Sequence, residues 1–175
     1  MRRLLLTLVT FFVPGFSYAD VHKDGKDYVL TTVNCPWELR FPKSGWKIGI
    51  NQVKGAQTYV LFSSEISGLT VSFYIEPASQ CDSSADCRDL FWKNPGPMVQ
   101  NPTGVAQLER AGFEIVRYEL TLIPEVPVRQ LNYSGHLVRD GYWVDMHISR
   151  LLLPGSDENA FERFIDTITI QQQSR

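Results

Sequence analysis

The pair Asp140-Gly141, set between two runs that alternate apolar and polar residues, constrains this chain more than any other feature, because it marks a two-residue hairpin turn. Both central positions of a type I′ turn need φ > 0, which Asp tolerates and Gly prefers. The hairpin spans Val128 to Leu152, and the turn sets its register. With Arg139 opposite Tyr142, Leu131 faces Arg150, Tyr133 faces Ile148, Gly135 faces Met146 and Leu137 faces Val144. That largely apolar side is expected to meet the core. On the other side Ser134 falls opposite His147, His136 opposite Asp145, and Val138 opposite Trp143, so two of the chain's three histidines converge.

Directly opposed strand residues hold their Cβ atoms about 5 Å apart, and a carboxylate beside an imidazole can orient it or raise its pKa. Asp145 and His147 on one strand with His136 on the next supply two nitrogens and one oxygen, a donor set compatible with a three-ligand zinc site that keeps an open position. The competing reading is a cross-strand polar network on a solvated or helix-covered face. A Ser-His-Asp nucleophilic site is disfavoured. Ser134 can face His147, but Asp145 lies about 6–7 Å away along the same strand, and no nucleophile elbow is visible. No catalytic residue is therefore assigned.

Further strands are expected at Tyr28 to Val33, Trp37 to Phe41, Trp46 to Ile50, Thr58 to Ser64 and Leu69 to Ile75. In the last of these Leu69, Val71, Phe73 and Ile75 share one face while Thr70 and Ser72 share the other, the pattern of a half-buried strand. Ser83 or Ser84 can cap a helix running to about Lys93, with Leu90 and Phe91 turned inward. The pattern then predicts a short helix from Val105 to Ala111 ending at Gly112, a strand from Phe113 to Leu122, and a closing helix. That last helix is capped by Ser156 or Asp157, and Phe161, Phe164, Ile165 and Ile168 recur along it at i, i+3, i+4 and i+7.

The N-terminus reads as an export signal over residues 1–19. Arg2 and Arg3 supply the positive end, Leu4 to Val13 the apolar run, and Ser17-Tyr18-Ala19 the small residues before a cut at Asp20. The run falls well short of the ~20 residues a bilayer crossing needs, and Pro14-Gly15 ends it. Residues 20–175 are then expected to form a single exported domain, periplasmic or extracellular, with no integral membrane segment. The formal net charge of −2 gives no electrostatic footprint for nucleic acid. Three cysteines leave three possible single bridges; Cys81 to Cys87 is preferred, because it would pin a helix entry in an oxidising compartment, with Cys35 left as a buried thiol.

The order of elements resembles the PsbP-like fold, shared by the photosystem II extrinsic protein, a yeast Ran-binding factor and bacterial periplasmic proteins. The residues that carry the likeness are Phe41-Pro42-Lys43-Ser44-Gly45-Trp46 opening the domain, Gly112-Phe113 entering a strand, the Asp140-Gly141 hairpin and the Phe161/Phe164/Ile165/Ile168 helix. The resemblance implies an α+β domain, an α-β-α sandwich around a mainly antiparallel sheet with a C-terminal helix, and members that bind partners instead of catalysing reactions. The expectation is thus an exported, non-catalytic module that binds another protein, with an envelope immunity or accessory role as one version of it, and no cofactor. The alternative is a zinc-binding protein or metal-assisted hydrolase using His136, Asp145 and His147. The loop from Asn94 to Gly104, with Trp92 beside it, is the expected contact surface, with Trp92, Asn94, Pro95 and Pro97 as its named residues.

Overall fold

Alternating apolar residues build two antiparallel sheets that share one core. The computed structural model describes residues 20–93, 99, 101–123 and 126–173; the expected signal over 1–19 and the residues Asn94, Pro95 and Pro97 lie outside the described residues. The smaller sheet joins β1 (Asp20–Asp24), β2 (Asp27–Thr31), β3 (Trp37–Pro42) and β11 (Thr169–Gln172) in the order β1-β2-β3-β11. The larger one joins β4 (Lys47–Lys54), β5 (Gln57–Ser63), β6 (Thr70–Pro77), β7 (Thr103–Arg110), β8 (Phe113–Ile123), β9 (Val126–Arg139) and β10 (Tyr142–Leu152) in the order β4-β5-β6-β10-β9-β8-β7. Two helices complete the fold, α1 (Ser84–Lys93) and α2 (Ala160–Ile165).

The β9-β10 hairpin has the register that the Asp140-Gly141 turn dictates, from Arg139 opposite Tyr142 through Leu131 opposite Arg150. Asp140 and Gly141 both have positive φ, 49° and 77°. Leu131, Tyr133, Leu137, Val144, Met146 and Ile148 all join the core, so the apolar side of the hairpin points inward as expected. There it meets the small sheet and α2. Phe41 stands at the centre, with ring centroids 4.9 Å from Phe62 and 5.5 Å from Phe164, and Tyr133 lies 4.8 Å from Phe161. The α1 helix packs on the opposite side of the large sheet, where Phe91 meets His136 and Trp92 meets Tyr118. The helices therefore flank the seven-stranded sheet, and the four-stranded sheet shares the α2 side.

Three local expectations are corrected. The segment expected to be a helix at Val105 to Ala111 is strand β7, because Ala111 and Gly112 adopt φ of 51° and 79° and close a tight hairpin onto Phe113. Inside α1, Leu90 is exposed; the inward face is made by Ser84, Cys87 and Phe91, spaced i, i+3 and i+7. The closing helix stops at Ile165 instead of running through Ile168, and neither Ser156 nor Asp157 caps it. Asn159 occupies that position without a side-chain hydrogen bond. Beyond it the Thr167 hydroxyl donates to the Phe164 carbonyl at 2.6 Å, and the chain straightens into β11 against β3.

Candidate functional site

A sheet face that no second layer fully covers must satisfy its polar side chains locally or present them to a ligand. On the outer face of the large sheet the register lines up Leu61, Ser72, His147, Ser134 and Val116 in one row across β5, β6, β10, β9 and β8. The next row holds Ser63, Thr70, Ser149, Asn132 and Tyr118. The α1 helix makes its main contacts with β8 and β9, and among the described residues no helix packs on this face over β5 and β6. The result is a half-open groove of about 590 Å³. Its floor is polar, with Ser72, Asn132, Ser134, Asp145, His147 and Ser149, and its walls are Tyr59, Leu61, Phe91, Val99, Tyr118 and Leu120. A mostly apolar concavity with a few convergent polar groups is the usual form of a binding site.

The attachment of α1 explains why the groove ends where it does. Cys81 and Cys87 form a disulfide with Cα atoms 5.1 Å apart, as preferred from sequence. Ser83 caps the helix by accepting a hydrogen bond from the Asp86 N–H at 3.1 Å, and Ser84 Oγ accepts from the Val138 N–H at 2.9 Å. Arg88 pairs with Glu114 on β8, and Phe91 lies 5.2 Å from the ring of His136.

The three residues of the candidate zinc site are divided by this arrangement. His136 has no exposed surface and is packed between Phe91 and Trp143, whose ring centroid is 5.8 Å away. Neither of its ring nitrogens has a hydrogen-bond partner among the described residues. Its Nδ1 is 3.9 Å from Asp145 Oδ1. Burial, with a smaller contribution from the Arg88 charge, pushes its pKa down to about 4, so the ring is neutral. His147 points instead toward Asn132, with Nε2 at 3.2 Å from Oδ1, and burial lowers its pKa as well. Among the described residues no three His, Cys, Asp or Glu side chains gather closely enough to hold a metal ion.

Asp145 opens into the groove, its side chain 26% exposed. Burial first, and then the nearby Glu76 carboxylate, raise its pKa to about 7. Ser134 is 1% exposed and faces the Tyr118 hydroxyl without hydrogen-bond geometry. Trp92, expected at a contact surface, packs against Tyr118 with ring centroids 5.3 Å apart and so backs one wall of the groove. Cys35 is buried and free, and burial pushes its thiol up to about 12, which leaves it unreactive at neutral pH.

Sequence reasoning located the polar floor on the hairpin but missed the groove. Its signal lay in the Thr70/Ser72 alternation of β6, which repeats in Ser149 and His147 once the strands are paired. A second depression, of about 600 Å³, lies at the end of the sheet near Ile66 and Leu153. Its arginines are already engaged: Arg163 pairs with Asp157, and Arg150 donates to the backbone carbonyls of Ser67 and Asp157.

No protein-family model and no curated protein matches the chain. Among solved structures it is similar to a crystal structure from Bacteroides thetaiotaomicron VPI-5482, with a TM-score of 0.51 at 9% identity. That match covers 80% of this chain and 47% of the other, so the chain spans about half the length of that structure, and the likeness is one of fold alone. It is also similar to the solution structure of cyanobacterial PsbP (CyanoP) from Synechocystis sp. PCC 6803, with a TM-score of 0.47 at 16% identity, covering 94% of this chain and 99% of that one.

Proposed function

We propose that this protein is an exported, non-catalytic binding module, an envelope accessory or immunity factor, whose protein partner seats in the groove on the outer face of the seven-stranded sheet. The observation that carries the proposal is the half-covered face itself: a concavity of about 590 Å³ with aromatic walls beside a polar floor. The Cys81–Cys87 bridge fits an oxidising compartment. A binding role suits the chemistry better than turnover. His136, which lies beside the Asp145 carboxylate, has no exposed surface from which to reach a substrate, and His147 is tied to Asn132.

Affinity capture from the native envelope, followed by mass spectrometry, tests this reading with two baits. The first is the wild-type chain, and the second carries Ser72→Trp, which fills the groove from a partly exposed floor position. Recovery of a reproducible partner by the wild type and its loss with Ser72→Trp is the expected result. No reproducible partner, or equal recovery by both baits, would overturn it.

A further inference from the structure

We infer that the groove receives a lysine or arginine side chain of the partner, seated on Asp145 with apolar neighbours of that side chain packed against Tyr59, Leu61 and Tyr118. This rests on the reading of the groove as the partner site and names the chemistry it selects.

The charge inventory of the groove is one-sided. Among the described residues of its lining Asp145 is the single carboxylate, and there is no Lys or Arg. Among the described residues its carboxylate accepts no hydrogen bond, and the group facing it is the His136 ring at 3.9 Å. The nearest guanidinium on α1, Arg88, is held by Asp89 and Glu114. Glu76, engaged by Gln57 at 2.8 Å, lies close enough to add to the negative potential at Asp145. A carboxylate left without a partner in a partly desolvated site disfavours its own charge, and a cation brought to it restores that charge. The raised pKa of Asp145 is the signature of this deficit.

The walls beside the carboxylate, Tyr59, Leu61 and Tyr118, are apolar or aromatic, which suits the alkyl stem of a lysine or arginine and the apolar neighbours it carries. The remaining polar floor groups are neutral. They offer nothing to neutralise an anion, so phosphate or carboxylate ligands are selected against. The half-open form of the groove leaves room for a chain to enter and leave, which suits a side chain carried on a protein segment better than an enclosed small molecule.

The test compares three short peptides, acetyl-Leu-Lys-Leu-amide and its Gln and Glu counterparts, with butylamine as a free cation, monitored by amide shifts of His147 and Ser149 in NMR titrations. The lysine peptide is expected to bind about tenfold more tightly than the glutamine peptide, the worth of one charge-assisted hydrogen bond, and the glutamate peptide least. Asp145→Asn is expected to bring the lysine and glutamine peptides within about twofold of each other. Equal binding of those two by the wild type, a preference that survives Asp145→Asn, or no shift with any peptide would overturn the inference. Butylamine binding as tightly as the lysine peptide would overturn the assignment to a protein segment. The wild-type series is decisive by itself should the variant fold poorly. Capture of a partner that is lost with Ser72→Trp, with no lysine preference, would sink this inference and leave the partner site standing.

Discussion

Replacing His136 with leucine removes a buried imidazole that costs the fold more as the solution becomes acidic. The ring has no exposed surface, and neither nitrogen is hydrogen-bonded among the described residues, while Phe91 and Trp143 pack on its faces. Leucine has a similar volume. At neutral pH the relief of two unpaired nitrogens, each worth about 1–3 kcal/mol, is set against lost ring contacts worth about 0.5–1.5 kcal/mol, for a small net stabilisation of order 1 kcal/mol.

The larger effect is in acid. The folded pKa is depressed from 6.5 to about 4, so between those values the unfolded chain takes up a proton that the folded protein refuses. Stability linked to this group is intact above about pH 6.5 and is lost as the pH falls toward about 4. The gap corresponds to roughly 3 kcal/mol. His147 and the depressed carboxylates are present in both proteins and cancel in the comparison. Urea denaturation of wild type and His136→Leu, followed by tryptophan fluorescence at about pH 7.5 and about pH 4, reads the difference directly. The advantage of the variant should grow by about 3 kcal/mol on acidification. A difference that stays constant, or shrinks in acid, would refute the assignment of His136 as a sealed neutral base.

Further outcomes follow from the core, the turn and the cysteines. Phe41→Ala, at the junction of Phe62, Phe73 and Phe164, should cost about 3–5 kcal/mol in chemical denaturation. Gly135→Ala would place a Cβ 2.7 Å from Met146 Cε, the movable end of a flexible side chain, and should lower stability by no more than about 1 kcal/mol, read as a small shift of the urea midpoint. Replacing Cys81 and Cys87 together by serine should lower stability by about 2 kcal/mol, the worth of so short a closed loop, in the same assay. Cys35 should resist an aromatic disulfide reagent in the native protein and react once the chain is unfolded, whereas rapid native labelling would contradict its burial.

What could be read from residues alone depended on whether the deciding chemistry was local. The β9-β10 register followed from Asp140-Gly141, whose preference for positive φ is intrinsic to those two residues. The Ala111-Gly112 turn has the same backbone, but alanine carries no such preference, so β7 was mistaken for a helix. Strand β11 went unseen because its Gln171 and Gln172 have little β signal of their own and are placed by pairing with β3. The polar residues of the groove floor and its sealed margin were visible as an alternation, Ser134, His136, Asp145 and His147. Which of them would be sealed and which left open depended on where α1 lands, a long-range outcome that no spacing encodes.

The tether of α1 has a mechanical corollary. The disulfide, the Ser83 cap and the Ser84 bond to Val138 all act on its first turn, while Phe91 and Trp92, which shape the wall, lie near its far end. About 10 Å further along the axis the Phe91 and Trp92 rings lie against His136 and Tyr118, with the Arg88–Glu114 pair between. The helix is thus stitched to the sheet from end to end, so an occupant meets a rim of fixed contour and must fit it as it stands.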